Sequence, residues 1–374
     1  MKKKLLLNWA YYRPVGHVVE ALKASKGYAD ANKNIEVHLL LNADSPIELA
    51  EACYWIQKTY PISLRDIWNN GDSAQCLKGI PKIWDYVVHD ERIKHFRRGW
   101  DENNLIKAQG IIRKQFHARV KDGYTDAHIL PYHPNPHIDL PVPPEAKKFA
   151  ERYRHKGPTL CIMLGGSAGD TQSPTVAMWL AICKALFRFI PNVKMYVTGV
   201  TKSVDGRTHT IDFSLEDVGS LVERLPNAEA VYNIGLWNQL ALIKQADIFL
   251  SPHTGFGFLA PLVGTPWLTL SNCRWPEYIY NNVPFYSVLP ECGSYPALED
   301  TARGCGKLLA GGKKARCMTD ALLMRKIPEI VKATKLLLRP TFTYEKARQL
   351  HLQKIKKAPY QYKKFFFFDG AESL

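Results

Sequence analysis

The feature that most restricts what this chain can fold into is residues 236–270. Leu240 and Ile243 recur at helical spacing, residues 248–250 are a short apolar run, and residues 267–270 are another. Apolar runs of that length, bounded by turn residues, read as buried strands. Between the two runs lies His253-Thr254-Gly255-Phe256-Gly257, which opens a helix carrying Phe258, Leu259 and Leu262 until Gly264-Thr265-Pro266 stops it. Helix, strand, turn, helix, strand is the repeat of a parallel sheet covered by helices. A strand that runs through a glycine turn onto a helix N-terminus presents unpaired N–H groups, and with the helix dipole these attract an anion. Gly255 and Gly257 would let a phosphate approach the backbone, and His253 would add a side-chain donor. The same residues also suit an ordinary strand-to-helix turn, so the meaning of this turn depends on the rest of the chain.

The rest of the chain alternates in the same way, twice. In the first half the pattern predicts a strand at 4–8, a loop at 11–16, a helix at 17–26 and a strand at 36–42. A helix is predicted from Ser45 as N-cap, with Pro46 at its first position, to residue 58. A strand at 84–90, ending in His89 and Asp90, and a helix at 103–120 complete that half. Six prolines then fall within the fourteen residues 131–144, which reads as an extended interdomain linker with His133 and His137 as loop residues. Beyond it come a strand at 160–165, a glycine-rich loop at 165–169, and a helix capped by Ser173 and Pro174. Further strands at 193–199 and 231–234 flank a short helix at 215–223, and residues 236–270 close the sheet. Long helical patterns follow residue 319. The expected fold class is α/β, with domains at 1–138 and 139–335 and a basic, aromatic tail at 336–374. A chain of 374 residues is long enough to give each domain a core.

Composition bears on partners. A net charge of +15 points to something anionic: a phosphorylated glycolipid or glycan, an acidic membrane face, or nucleic acid. Its clusters are Arg92, Lys94, Arg97 and Arg98, then Lys313, Lys314 and Arg316, then Lys354, Lys356, Lys357, Lys363 and Lys364. Eight cysteines without close pairs suit a reducing compartment rather than a disulfide scaffold. Cys273, Cys292, Cys305 and Cys317 lack any Cys-x-x-Cys knuckle, so no zinc is expected. Lys and Arg interrupt every apolar run, so no transmembrane segment is expected. The lysine-rich start mimics a signal peptide but reads better as the first strand. A cytoplasmic protein is expected, with peripheral contact at the inner membrane face as an option.

Residues 236–270 resemble the donor-binding segment of nucleotide-sugar glycosyltransferases with the GT-B fold, and most resemble the heptosyltransferase-type families. Leu236, Leu240, Ala246, Asp247, Thr254, Gly255, Leu259, Ala260, Gly264, Thr265 and Pro266 stand in register with that segment. His253 stands where those families have Asp, and Phe258 where they have His. The resulting His-x-Gly-x-Gly is similar to the diphosphate-binding turn of plant- and antibiotic-type glycosyltransferases. The resemblance implies two Rossmann-like domains facing across a cleft, the acceptor bound mainly by the first and the nucleotide sugar by the second. It also implies that the terminal helix returns to the first domain. After the glycine-rich loop the families usually have Lys and Trp, whereas this chain has Thr171, Gln172 and Ser173.

Glycosyl transfer needs a base for the acceptor hydroxyl and positive charge or N–H donors for the departing diphosphate. No Asp-x-Asp occurs in the chain, so no metal and no cofactor are expected; the nucleotide sugar is a substrate. The resemblance makes His17 the base, in Arg13-Pro14-Val15-Gly16-His17, because a neutral imidazole at a helix N-terminus can accept a proton. Asp90 is the expected orienting carboxylate, with Asp122 in reserve. Donor contacts are expected from Gly165 and Ser167, from His253, Thr254, Gly255, Phe256 and Gly257, from Trp237 stacked on the base, and from Glu277 at the sugar hydroxyls. The expected activity is metal-independent, inverting transfer to an anionic cell-envelope glycan or lipid-linked acceptor. Transfer to modified nucleic acid bases, a non-catalytic binding protein and a sugar-nucleotide epimerase remain alternatives.

Overall fold

The computed structural model describes residues 2–11, 13–69, 75–89, 102–119, 130–166, 172–201, 210, 213–272, 277–291, 295, 316–358, 364–367 and 370–373. The packing divides the chain into two α/β units at Leu140 and Pro141.

The first unit is built on β1 (Lys3–Trp9), β2 (Ile35–Asn42), β3 (Ile56–Ile62) and a later strand, β5 (Tyr86–His89), after the two-residue β4 (Ile83–Trp84). The parallel sheet is ordered β3-β2-β1-β5, and β4 pairs separately with β6 (His117–Ala118). Leu5, Leu6 and Leu7 are fully buried in succession, as expected of a strand covered on both faces. Helices α1 (Val15–Ala31), α2 (Glu48–Glu51), α3 (Leu64–Asn69) and α4 (Glu102–Gln115) connect the strands.

Two sequence expectations change here. The helix predicted from Ser45 to residue 58 is only the single turn α2, and the residues after it form β3. Tyr60 and Ile62 are buried by pairing with β2, a non-local contact that overrides local helix propensity, and Pro61 is tolerated because β3 is an edge strand. Ser45 caps nothing; its hydroxyl donates to the Arg13 carbonyl at 3.1 Å. The proline-rich segment, expected as an extended linker, is partly docked on α1. The His133 amide donates to the Gly27 carbonyl at 3.0 Å. A Cβ on Gly27 would lie 2.3 Å from the Tyr132 ring, so only glycine lets that ring pack there. The fully buried Lys23 ammonium donates to the Pro136 carbonyl.

The second unit contains β7 (Thr159–Met163), β8 (Lys194–Gly199), β9 (Ala228–Tyr232), β10 (Ile248–Pro252), β11 (Trp267–Leu270) and β12 (Phe285–Val288). The sheet is parallel, ordered β12-β11-β10-β7-β8-β9. Its helices are α5 (Pro144–Glu151), α6 (Val176–Phe189), α7 (Leu215–Glu223), α8 (Leu236–Gln245), α9 (Leu259–Leu262), α10 (Asp320–Leu337) and α11 (Tyr344–Lys357). A hairpin of β13 (Lys364–Phe367) and β14 (Gly370–Ser373) follows. The core lies between the sheet and α6 and α10, with Trp179, Leu186 and Ile330 fully buried. Thr175, rather than Ser173, caps α6: its hydroxyl oxygen accepts from the Met178 amide at 3.1 Å.

Residues 236–270 do not close the sheet, because β12 adds a further edge strand. The terminal helix α11, expected on the first domain, packs against β12 in the second unit. There Lys354 donates to the Ser287 carbonyl at 2.6 Å and to Glu329 at 2.8 Å, and its ammonium lies 3.9 Å from the Tyr286 ring centroid. Burial alone would push the Glu329 carboxyl up, but Lys354 and Lys326 more than offset it and hold Glu329 below its ordinary range.

Candidate functional site

In the second sheet the chain winds one way from β7 to β9 and the other way from β10 to β12. The strand ends of β7 and β10 therefore flank the topological switch point, where open α/β sheets bind ligands. Gly165 and Gly166 leave β7 there, and residues 253–257 leave β10. The two loops touch: a Cβ on Gly166 would come 2.7 Å from Thr254 Cγ2. A Cβ on Gly165 would come 2.9 Å from the Phe213 ring. Ser167 lies outside the described residues.

The turn after β10 is a 3-10 helix, Gly255–Phe258, leading into α9. Thr254 caps it, its hydroxyl oxygen accepting from the Gly257 amide at 3.0 Å. That amide is therefore engaged, and the first amides of the turn, Gly255 and Phe256, are those a short helix leaves for a ligand. Packing requires Gly257: a Cβ on it would lie 2.2 Å from Trp267 Cζ2. Phe258, at the position where the resembled families have His, is buried against Trp267, Tyr278 and His253.

His253 stands at the mouth of this arrangement. Its amide donates to the Leu270 carbonyl at 3.2 Å, tying the turn to β11. Its ring Nδ1 lies 3.1 Å from Glu277 Oε1, with the His253 side chain 11% exposed and the Glu277 side chain not exposed at all. Glu277 was expected at the donor sugar, yet its carboxylate is engaged inward. Oε1 also accepts from the Thr269 hydroxyl at 3.1 Å, and Oε2 accepts from the Ser271 hydroxyl at 2.8 Å. Thr269 and Ser271 escape sequence inspection because only the pairing of β10 with β11 brings them beside residue 253. Trp237 is the second residue of α8, which follows β9; two residues on, Gln239 Nε2 donates to the Thr198 hydroxyl of β8 at 3.2 Å.

In the first unit the corresponding switch point lies between β1 and β5. Asn8, at the end of β1, donates through Nδ2 to the Tyr11 hydroxyl at 2.8 Å and meets His89 Nδ1 at 3.0 Å. His17 is in the first turn of the helix that follows β1, its Nδ1 lying 2.7 Å from Glu20 Oε2. Asp90 and Asp122, expected to orient His17, lie outside the described residues. Glu20 is the carboxylate seen on its ring, and the three-residue spacing on one helix was the available signal. If the Nδ1 hydrogen points at Glu20, Nε2 is left as the proton acceptor.

Among the described residues no group of His, Cys, Asp and Glu is arranged to hold a metal ion. Cys273, Cys292 and Cys305 lie outside them, as do the basic positions 92–98 and 313–314 and Lys363. Cys317 is buried. No helix among the described residues is long and apolar enough to cross a membrane.

No family model matches the chain, and no curated protein matches it by sequence. Solved structures do match. The glycosyl transferase family 9 protein from Veillonella parvula superposes with a TM-score of 0.60 at 12% identity, over 90% of this chain and 97% of that one. The ADP-heptose lps heptosyltransferase II of E. coli gives 0.52 at 12% identity, over 90% and 100%. E. coli heptosyltransferase WaaC with ADP gives 0.50 at 11% identity, over 89% and 99%. At such identities the likeness is one of fold: this chain has two Rossmann-like α/β units and the GT-B fold of those glycosyltransferases.

Proposed function

We propose that the protein is a glycosyltransferase that takes a sugar from a nucleoside diphosphate held by the second unit. The observation that carries this reading is the meeting of the Gly166 and Thr254 loops at the switch point, with His253 beside them. Glycine-lined backbone, the leading amides of a helical turn and an imidazole suit a diphosphate leaving group. The names of the neighbours support the same substrate class, since one is a heptosyltransferase of ADP-heptose and another carries ADP. In the reaction His17 takes the acceptor proton through Nε2 while Glu20 steadies Nδ1, and the acceptor oxygen bonds to the anomeric carbon in line with the departing diphosphate. The bond to the diphosphate oxygen breaks, and His253 with the Gly255 and Phe256 amides stabilises the charge left there. We assign the acceptor to anionic glycans or lipid-linked glycans on the strength of the +15 net charge.

Thermal-shift measurement against ADP, UDP, GDP and CDP tests the donor site, because a ligand at a hundred times its Kd adds about 2.7 kcal/mol. His253→Ala should weaken the retained nucleotide by about 1–3 kcal/mol, the range for a lost charge-assisted hydrogen bond. His17→Ala should leave nucleotide affinity unchanged while turnover drops by about two to four orders of magnitude. Failure of all four nucleotides to stabilise the protein would overturn the reading. Normal turnover by His17→Ala would overturn the mechanism.

A further inference from the structure

Glu277 has the environment of a group that acts through another. A carboxylate with no exposed surface has lost its water and must be met by donors. Here the donors are the Thr269 and Ser271 hydroxyls and the Nδ1 edge of His253. Behind it, the Tyr280 hydroxyl donates to the Glu277 carbonyl at 3.0 Å, and the Tyr280 ring stacks on Phe285 at 3.5 Å, which fixes the backbone that carries the carboxylate. An ionised carboxylate only accepts, so the Nδ1 it meets must carry hydrogen. The other ring nitrogen, Nε2, makes no hydrogen bond within the described residues, and Phe258 and Trp267 wall the ring in place.

From this geometry we infer that Glu277 is the positioning residue of the donor site: it holds His253 as a two-sided donor, with Nδ1–H on its own carboxylate and Nε2–H on the diphosphate. The inference rests on the donor-site reading above. The imidazolium then lies between two anions, one built into the fold and one brought by the ligand, and cation and ring orientation are supplied together. The charged and titratable groups that face the pair are few among the described residues. They are Tyr280 behind Glu277 and, at longer range, Lys354 from α11, whose ammonium interacts with Glu277. The place where a sugar-binding acid was expected thus serves the phosphate side of the donor.

The test uses the full chain, with inorganic pyrophosphate and ADP as probes, in wild type, His253→Gln, Glu277→Gln and the double variant. Glu277→Gln should weaken both probes about tenfold, and the loss should vanish in the His253→Gln background, because the carboxylate acts only through the ring. Nitrogen-15 spectra of wild type with pyrophosphate bound should find hydrogen on both ring nitrogens of His253. This arm needs no variant at Glu277 to fold. A Glu277→Gln loss that is equal with and without His253, or a bound-state ring lacking hydrogen on Nδ1, would overturn the inference and leave the donor site standing. If neither probe binds wild type, the donor-site reading falls and this inference with it.

Discussion

Replacing Gly257 with alanine isolates a steric effect from every other. The new Cβ would sit 2.2, 2.7 and 2.9 Å from three atoms of the Trp267 indole. Carbon atoms pack best at about 3.5–4.0 Å, so the contact must open by roughly 1 Å. Trp267 has no room to retreat: it is fully buried, its Nε1–H donates to the Ser251 hydroxyl at 3.1 Å, and Phe258 lies edge-on to it at 5.4 Å. Gly257 is not among the glycines with positive φ, so alanine adds no backbone strain and the whole cost is overpacking. Such changes cost about 1–3 kcal/mol, and a pinned indole puts this one near the top, about 3 kcal/mol. For a unit of this size that lowers Tm by about 6–12 °C. Scanning calorimetry of Gly257→Ala, Trp267→Phe and the double variant should reveal a favourable coupling of about 1–3 kcal/mol, since the smaller ring removes the atoms that clash. An unchanged Tm in Gly257→Ala, together with a tenfold loss of nucleotide affinity, would refute the packing argument and return Gly257 to the ligand.

Three further outcomes are expected. Burial beside Tyr60 and Trp84 pulls the His38 pKa down to about 4 from its ordinary 6.5. The unfolded chain therefore takes up this proton first as pH falls, and about 3 kcal/mol of stability, complete above pH ~6.5, is lost toward pH ~4. His38→Phe should flatten that part of the denaturation midpoint against pH; an unaltered profile would contradict the assignment. Glu329→Gln removes the charge partner of the half-buried Lys354 ammonium and should cost about 1–3 kcal/mol, with Lys354→Met in the same chain restoring most of it. Equal destabilisation by the single and double variants would exclude that account. Transfer activity should survive excess chelator, as the absence of Asp-x-Asp implies; loss of activity restored by magnesium or manganese would displace His253 and the turn from their role.

The parts of the fold that local patterning reveals are the buried parallel strands. Residues 5–7, 39–41 and 248–250 are continuous apolar runs, which few other structures accommodate, and all three lie in strands. The errors came where pairing decides. Residues 56–62 alternate too weakly to announce β3, and Phe285–Val288 is too short to stand out without β11 beside it. In the site, residues close in sequence were legible: the glycine turn after β10, and His17 at the start of α1. Contacts across the sheet were not. The 24-residue separation of His253 and Glu277 is closed only by the parallel register of β10 and β11. Glu20 is legible from its three-residue spacing to His17, which sets both on one face of α1.

The placement of α11 has a consequence for the life of the chain outside catalysis. β12 is the last strand of a six-stranded sheet, and an uncovered last strand is a template on which another polypeptide can add itself. Here α11 lies along it, and the Lys354 ammonium occupies the Ser287 carbonyl that an incoming strand would seek. The helix is therefore a guard against self-association as much as a part of the fold. A chain that ended before Tyr344 would keep His17 and His253 and still present the β12 edge to its neighbours, as would one newly made and not yet folded past that point.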